Sequence, residues 1–147
     1  MCLISDINGK FIAKTDIKGW KAVIVDLETG GWRGIYQNNG KLFPYDKVVV
    51  NNERKQVDLS FYPNVHVGRG FFHLCKKWKD AIQIKNNADL LYKGVFGAAS
   101  PGQWNVVTRV VECVIPKGAE CYKGVNGDYA SRRILVFDKR KDERGCK

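Results

Sequence analysis

The amino-acid sequence predicts an α+β fold, in which mostly antiparallel strands, arranged as a meander and hairpins, accompany one central amphipathic helix. Two observations predict this class. Short β-branched and aromatic runs alternate with Asn- and Gly-containing turn signals, which is typical of antiparallel strands joined by tight turns. A single segment near the middle has helical spacing. The 147 residues suit one domain, assigned to residues 1–137, and the charged tail 138–147 is expected to fray.

The first third of the chain predicts a β-meander. Its turn signals are Glu28-Thr29-Gly30-Gly31 and Asn38-Asn39-Gly40, and Asn-Gly tolerates the positive φ angles of a type I′ hairpin turn. A third polar turn, residues 51–55, precedes the last run of this part. The predicted strands cover residues 21–25, 32–36, 41–43, 48–50 and 57–62.

The middle of the chain predicts the helix. Leu74, Trp78, Ala81 and Ile82 recur at i, i+4, i+7 and i+8, which places them on one face, with Trp78 in the core. We expect the helix to end at Asn86-Asn87, with a further helical turn over 88–92. Residues 94–105, rich in Gly, Ala and Ser, predict a loop that exposes Trp104.

The last third returns to strand patterns. Residues 106–115 are β-branched and long enough for a central strand. Pro116-Lys117-Gly118 and Asn126-Gly127-Asp128 predict turns. The remaining predicted strands cover residues 119–122, 129–131 and 133–137.

The charge of the chain points to an anionic partner. Lys and Arg total 25 against 15 Asp and Glu, a net charge of +10 that is spread along the chain and densest around the helix. A field of this sign favours an acidic protein, an anionic ligand or nucleic acid, although a basic surface also serves solubility alone. The candidate partner-binding residues are Arg69, Lys76, Lys77, Lys79 and Trp104.

Apolar runs, the N-terminal pattern and the cysteine count predict the cellular location and the state of the thiols. No apolar run is long enough to span a membrane, and the N-terminus lacks the pattern of a signal peptide. We therefore expect a protein that stays in the cytosol where it is made, with no membrane partner. The five cysteines are odd in number and irregularly spaced, which favours free thiols over a disulfide framework.

The thiol and imidazole groups of the chain suggest two possible kinds of chemical site, a zinc site and a Cys–His nucleophile. His73, Cys75, Cys113 and Cys121 are of the types that bind zinc, but no Cys-x-x-Cys pair is present, so buried thiols are the favoured interpretation and we predict neither metal nor cofactor. A Cys–His nucleophile would pair Cys75 or Cys113 with His73 or His66.

Two further patterns suggest nucleotide chemistry. Gly68-Arg69-Gly70, leading to His73, permits close approach of a phosphate to the backbone; the alternative is a structural turn that leads into the helix. Arg109 and Glu112, with His73, are the weak catalytic candidates. Arg109 and Glu112, together with Tyr129 and Ser131, suggest a fold-level analogy to ADP-ribosyltransferases.

The segment 66–137 resembles small uncharacterised phage and prophage proteins of the Bacteroidetes type. The residues that carry this resemblance are Gly70-Phe71-Phe72-His73, Asp80-Ala81, the run 113–124 with its Ile115-Pro116-Lys117-Gly118, and Tyr129-Ala130-Ser131. The resemblance implies an accessory protein of a phage or mobile element, located in the host cytosol or associated with the virion. It implies no activity.

The leading hypothesis is therefore a non-enzymatic phage or mobile-element accessory protein. It would bind a host protein, an anionic ligand or a virion component through a basic face around Arg69, Lys76, Lys77 and Lys79. The first alternative is a small nucleotide-directed enzyme, similar to an ADP-ribosyltransferase, that uses the Gly68–His73 region. The second alternative is a nucleic-acid-binding module.

Overall fold

The computed structural model describes residues 3–35, 41–60, 62–68, 70–96 and 106–138, and it confirms the α+β class. The strands form two sheets, and one helix follows the seventh strand. The elements are β1 (Leu3–Ile12), β2 (Ile17–Asp26), β3 (Trp32–Gly34), β4 (Val48–Val50), β5 (Val57–Asp58), β6 (Asn64–Val67), β7 (Phe72–Leu74), α1 (Trp78–Phe96), β8 (Val106–Ile115), β9 (Glu120–Gly124), β10 (Tyr129–Ser131) and β11 (Arg133–Val136).

The two sheets differ in size and are joined at a corner. The six-stranded sheet has the order β5-β6-β1-β9-β10-β7, and the five-stranded sheet has the order β3-β2-β8-β11-β4. The longest pairing is antiparallel and runs from Ile17↔Ile115 to Asp26↔Val106 along β2 and β8. At the corner, Trp20 and Cys75 exchange two backbone hydrogen bonds of 2.8 Å. These bonds attach the edge of the larger sheet to β2.

The main core lies between the two sheets. Side chains alternate along a strand, so Val23 and Val25 of β2 point into this core, and Val111 of β8 does the same. The indole of Trp32 is fully buried and lies 5.0 Å from the Phe43 ring and 5.6 Å from the Phe72 ring, measured between centroids. Its N–H donates to the carbonyl of Pro44 at 3.0 Å, so this buried polar atom is satisfied.

The helix covers the opposite face of the five-stranded sheet. Ala81 and Ala88 are buried there. The Asp89 carboxylate accepts hydrogen bonds from the Thr108 hydroxyl of β8 and, at 2.9 Å, from the Lys85 ammonium. Small alanines let the helix approach β2 and β8 closely, and Asp89 fixes its register against the sheet.

The predicted helix is correct in place but wrong in two details. Trp78, predicted to be core, is 51% exposed because it is the first helical residue. The helix also passes Asn86-Asn87 and continues to Phe96, since packing of Ala88 and Asp89 against the sheet outweighs the weak helix propensity of asparagine. Leu74, the first member of the predicted stripe, belongs to β7.

The strand predictions succeed by position, and the hairpins β2–β3 and β9–β10 form around predicted turns, but the other pairings of the first third differ from a meander. Residues 106–115 form β8, the central strand of its sheet, as predicted. The meander is wrong: β4 pairs with β11 rather than with its sequence neighbour, and Phe43 makes a single bridge to Trp32. The predicted strand 57–62 is limited to Val57–Asp58. The predicted turn 38–40 and the tail after residue 138 lie outside the described residues.

Candidate anion-binding face and cleft

Four lysines and a tryptophan form an exposed surface where the chain passes from β7 into α1. This cationic face consists of Lys18, Lys76, Lys77, Trp78 and Lys79, all of which are exposed. The corner hydrogen bonds between Trp20 and Cys75 bring Lys18 next to the helix start. The Lys76 ammonium donates to the Lys18 carbonyl at 3.0 Å, so one cation of the face is held in place.

The start of the helix is fixed from the neighbouring hairpin. The backbone N–H of Lys76 donates to the Asp128 carboxylate at 3.1 Å, and the Lys77 carbonyl accepts from the N–H of Asp80 at 3.2 Å. Asp128 lies in the turn after β9, where Gly127 has a φ of 92°. The Asn126-Gly127-Asp128 turn predicted from the sequence therefore anchors the cationic face.

A cleft of about 390 Å³ adjoins this face. Lys18, Trp20, Lys76, Glu112 and Phe137 are among the residues that line it. Trp20 pairs with Glu112 across β2 and β8, and the N–H of Phe137 donates to the Glu112 carbonyl at 3.0 Å. Directly opposed residues share one face of a sheet, so Glu112 stands between two aromatic residues in one row.

A second cavity, of about 470 Å³, lies between α1, β7 and the turn that contains Asp128. It brings His73 and Cys75 together with Asp80 and Asp128. Burial, together with the nearby Lys21 charge, lowers the pKa of His73 to about 3. Burial raises the pKa of the Cys75 thiol to about 11. Both groups are therefore neutral at pH 7, which does not match the thiolate–imidazolium pair of an activated cysteine nucleophile.

The other zinc and thiol candidates are buried cysteines that belong to two different sheets and share the core between them. Cys113 lies on β8 of one sheet and Cys121 on β9 of the other. Burial raises the pKa of Cys113 to about 12 and that of Cys121 to about 11. Within the described ranges, no group of three His, Cys, Asp or Glu side chains is placed to hold a metal ion. Cys75, Cys113 and Cys121 are free and buried, the arrangement that the odd cysteine count favours.

The catalytic candidates do not share one pocket. Arg109 and Glu112 are separated by three positions on β8, so their side chains leave opposite faces of the sheet. Glu112 lines the cleft beside the cationic face, whereas His73 lines the second cavity. Arg109 lines neither of these two cavities.

Gly70, next to position 69, serves packing within the chain. Gly70 has a φ of 86°, and a Cβ atom there would lie 2.8 Å from the carbonyl oxygen of Arg54. The Gly70 carbonyl also accepts from the Arg132 guanidinium at 3.2 Å. These contacts support the structural-turn interpretation over the phosphate cradle. Arg69 and Trp104 lie outside the described residues.

Sequence reasoning missed two features of the site. Trp20 and Phe137 face the cleft because of the β2–β8–β11 pairing, which local patterns do not give. Lys21 is only 8% exposed; its ammonium donates to the His73 carbonyl at 3.1 Å, and burial lowers its pKa. The run 21–25 is otherwise apolar, and that composition is the available hint that its lysine is buried.

Comparison with known proteins adds no family. No protein-family model, curated protein or solved structure matches the chain. In the part of the chain that the structure describes, no helix is both long and apolar enough to cross a membrane.

Proposed function

We propose that this chain is a non-enzymatic accessory binding protein of the phage or mobile-element type, which binds an anionic partner on its cationic face. The observation that carries the proposal is the exposure of Trp78, 51%, between exposed lysines on both sides. A large aromatic side chain left in solvent among cations is typical of a recognition surface. The phage assignment, with its place in the host cytosol or on the virion, rests on the resemblance of residues 66–137.

The residues of the face suit an anion chemically. Each lysine ammonium offers three N–H donors and no acceptor, and the Lys76 ammonium is already oriented by the Lys18 carbonyl at 3.0 Å. The indole of Trp78 adds a flat apolar surface for a ring or a hydrocarbon stem. An acidic segment of a host protein, a virion component and a free anionic ligand all present the required charge.

The arrangement favours binding over the enzyme alternative. An ADP-ribosyltransferase-like site needs its Arg and Glu at one substrate, but Arg109 and Glu112 leave opposite faces of β8. His73 has a pKa of about 3, which makes it a weak general base near pH 7.

The test is a polyanion titration with a matched pair of charge variants. The probes are a fluorescent 20-nucleotide thymidine strand and a fluorescent polyglutamate peptide, each followed by anisotropy. The double variant Lys77→Gln/Lys79→Gln removes two charges from the face. Each lost phosphate contact lowers affinity about fivefold at roughly 0.1 M salt, so the thymidine strand should bind about 25-fold more weakly.

The control variant removes the same charge elsewhere. Lys55→Gln/Lys117→Gln neutralises two exposed lysines outside the face, and we expect it to retain affinity within about twofold, because only long-range charge is lost. If the wild-type protein binds neither of the two probes, the proposal is contradicted. Equal losses in the two double variants contradict it as well, since net charge rather than this face would then be responsible.

A further inference from the structure

We propose that β4 is a strand-accepting edge, and that a second copy of this chain pairs with it, β4 against β4, in a two-fold symmetric dimer. β4 (Val48–Val50) is the last strand of the five-stranded sheet, and its one partner strand among the described residues is β11. An edge strand presents backbone N–H and C=O groups that another strand can bind. The inference is independent of the proposed anion binding, because no residue of the cationic face lies on β4.

The register with β11 shows which backbone groups of β4 point outward. The N–H of Asn51 donates to the Arg132 carbonyl at 2.7 Å, and hydrogen-bonded and non-hydrogen-bonded pairs alternate along an antiparallel ladder. Counting back from Asn51, Val49 therefore bonds to β11, whereas the N–H and C=O groups of Val48 and Val50 point away from it. In the part of the chain that the structure describes, these four groups have no other hydrogen-bond partner.

A two-fold axis at Val49 matches these four groups to those of a second copy. In an antiparallel β4–β4 pair centred on Val49, Val48 lies opposite Val50 of the second copy, and Val50 lies opposite its Val48. Both are hydrogen-bonded pairs, so each exchanges two N–H···O=C bonds. All four outward groups of each copy are then used, which is the self-complementarity that a two-fold interface requires.

The side chains of this edge suit a copy of themselves. Val48 is 46% exposed and Val50 is 42% exposed, and residues two apart on a strand share one face of the sheet. Pairing β4 with β4 places these β-branched side chains opposite each other, where they pack across the strands. β4 carries no charge. The two copies of Lys47, next to β4, are roughly 14 Å apart in this register, beyond the Debye length of about 8 Å at physiological salt.

A second copy fits this edge better than the C-terminal segment of the same chain. The segment 139–147 follows Asp138, whose N–H donates to the Asp46 carboxylate at 3.1 Å, so it begins near β4. Seven of its nine residues are charged and none is β-branched, so it offers Val48 and Val50 no matching side chain. A strand of a different protein is the remaining occupant, and the experiment distinguishes it from a second copy.

The dimer should be weak and should strengthen with salt. A contact between two short strands belongs to the small, transient class of interfaces, so we expect a dissociation constant on the order of 0.1 mM. Two chains of net charge +10 repel each other, and salt screens this repulsion. Raising the salt concentration from about 0.05 to about 0.5 M should therefore strengthen dimerisation several-fold, whereas it weakens the binding of a polyanion.

Sedimentation equilibrium from about 10 µM to about 1 mM protein measures dimerisation, and amide hydrogen exchange followed by NMR locates it. Exchange at the Val48 and Val50 amides should slow as the concentration rises, whereas the Val49 amide, bonded within the chain, should be protected throughout. Val48→Lys places a charge among the paired valines and should weaken dimerisation by about tenfold or more. Val125→Lys, at a residue 67% exposed in the turn after β9, is the matched control and should keep the dissociation constant within about twofold.

Three results would overturn the inference. The first is a chain that stays monomeric at about 1 mM, and the second is a dimer that leaves exchange at Val48 and Val50 unchanged or that Val48→Lys does not weaken. The third is a monomeric chain whose two amides are protected by an added peptide of alternating Thr and Val, which assigns the edge to a foreign strand.

Should Val48→Lys fail to fold in a thermal melt, Val48→Pro replaces it. Proline lacks the outward N–H and is tolerated at the first residue of an edge strand, so unchanged dimerisation of this variant contradicts the inference. Anion binding on the cationic face is measured separately and stands or falls by its own titration.

Discussion

Acid should unfold this protein partly through His73. The side chain faces the second cavity, and its ring hydrogen-bonds to the backbone of Gly68. Burial and the nearby Lys21 charge lower its pKa from 6.5 to about 3. Between these values the unfolded chain binds a proton that the folded protein does not, so the free energy of unfolding falls as the pH falls through this window.

The size of the effect follows from the pKa difference. Each pKa unit corresponds to about 1.4 kcal/mol, so protonation of unfolded His73 should remove about 3 kcal/mol of stability by roughly pH 4 and up to about 5 kcal/mol below pH 3. The larger figure matches the lower end of the usual total stability of a domain, about 5–15 kcal/mol. A large part of the acid sensitivity should therefore depend on this residue.

Urea unfolding of the wild-type protein and His73→Gln, at several pH values from about 7.5 down to 4, measures the effect. Glutamine can still donate to the Gly68 backbone but does not titrate. We expect the variant to lose about 3 kcal/mol less than the wild-type protein across this range. Parallel pH profiles for the two proteins would refute the claim that burial keeps His73 neutral.

Two further predictions concern the core. Trp32→Phe should lower the free energy of unfolding by about 2–4 kcal/mol, since it leaves a cavity and an unpaired Pro44 carbonyl; Trp78→Phe, at the surface, should change it by less than about 0.5 kcal/mol, and equal effects would contradict the burial assignment. The three buried thiols should react with iodoacetamide only as fast as the protein opens. The thiolate is the nucleophile, and in the folded protein these thiols are protonated and shielded from the reagent. Peptide mass mapping with and without urea checks this, and rapid labelling of the folded protein at these positions would contradict it. The thiols are Cys75, Cys113 and Cys121.

The sequence predicts what is local and misses what depends on distant pairing. The Pro116-Lys117-Gly118 turn is predicted because its residues encode it, and Gly118 adopts a φ of 89°. Likewise, β8 is predicted because ten successive residues favour a strand. By contrast, local patterns miss β1 and β6. β1 contains Asp6, Asn8 and Gly9, and its stability comes from pairing with β6 and β9.

In the candidate site, too, the features encoded locally are predicted, and those that depend on distant pairing are missed. The lysines around the helix start are predicted from the charge, and they are exposed. The core assignment of Trp78 is wrong, because helical spacing cannot show that the first turn of a helix extends past the sheet that covers the rest. The cleft is missed entirely, since Trp20, Glu112 and Phe137 are far apart in sequence and meet only through the β2–β8–β11 register.

The most direct test of the cationic face is the salt dependence of binding to the 20-nucleotide thymidine strand. Four lysines that contact phosphates should give a slope of about −2.8 for the logarithm of the association constant against the logarithm of salt concentration. Removing two of them, in Lys77→Gln/Lys79→Gln, should reduce the slope to about −1.4. A slope near zero for the wild-type protein, or the same slope for both proteins, would contradict the account.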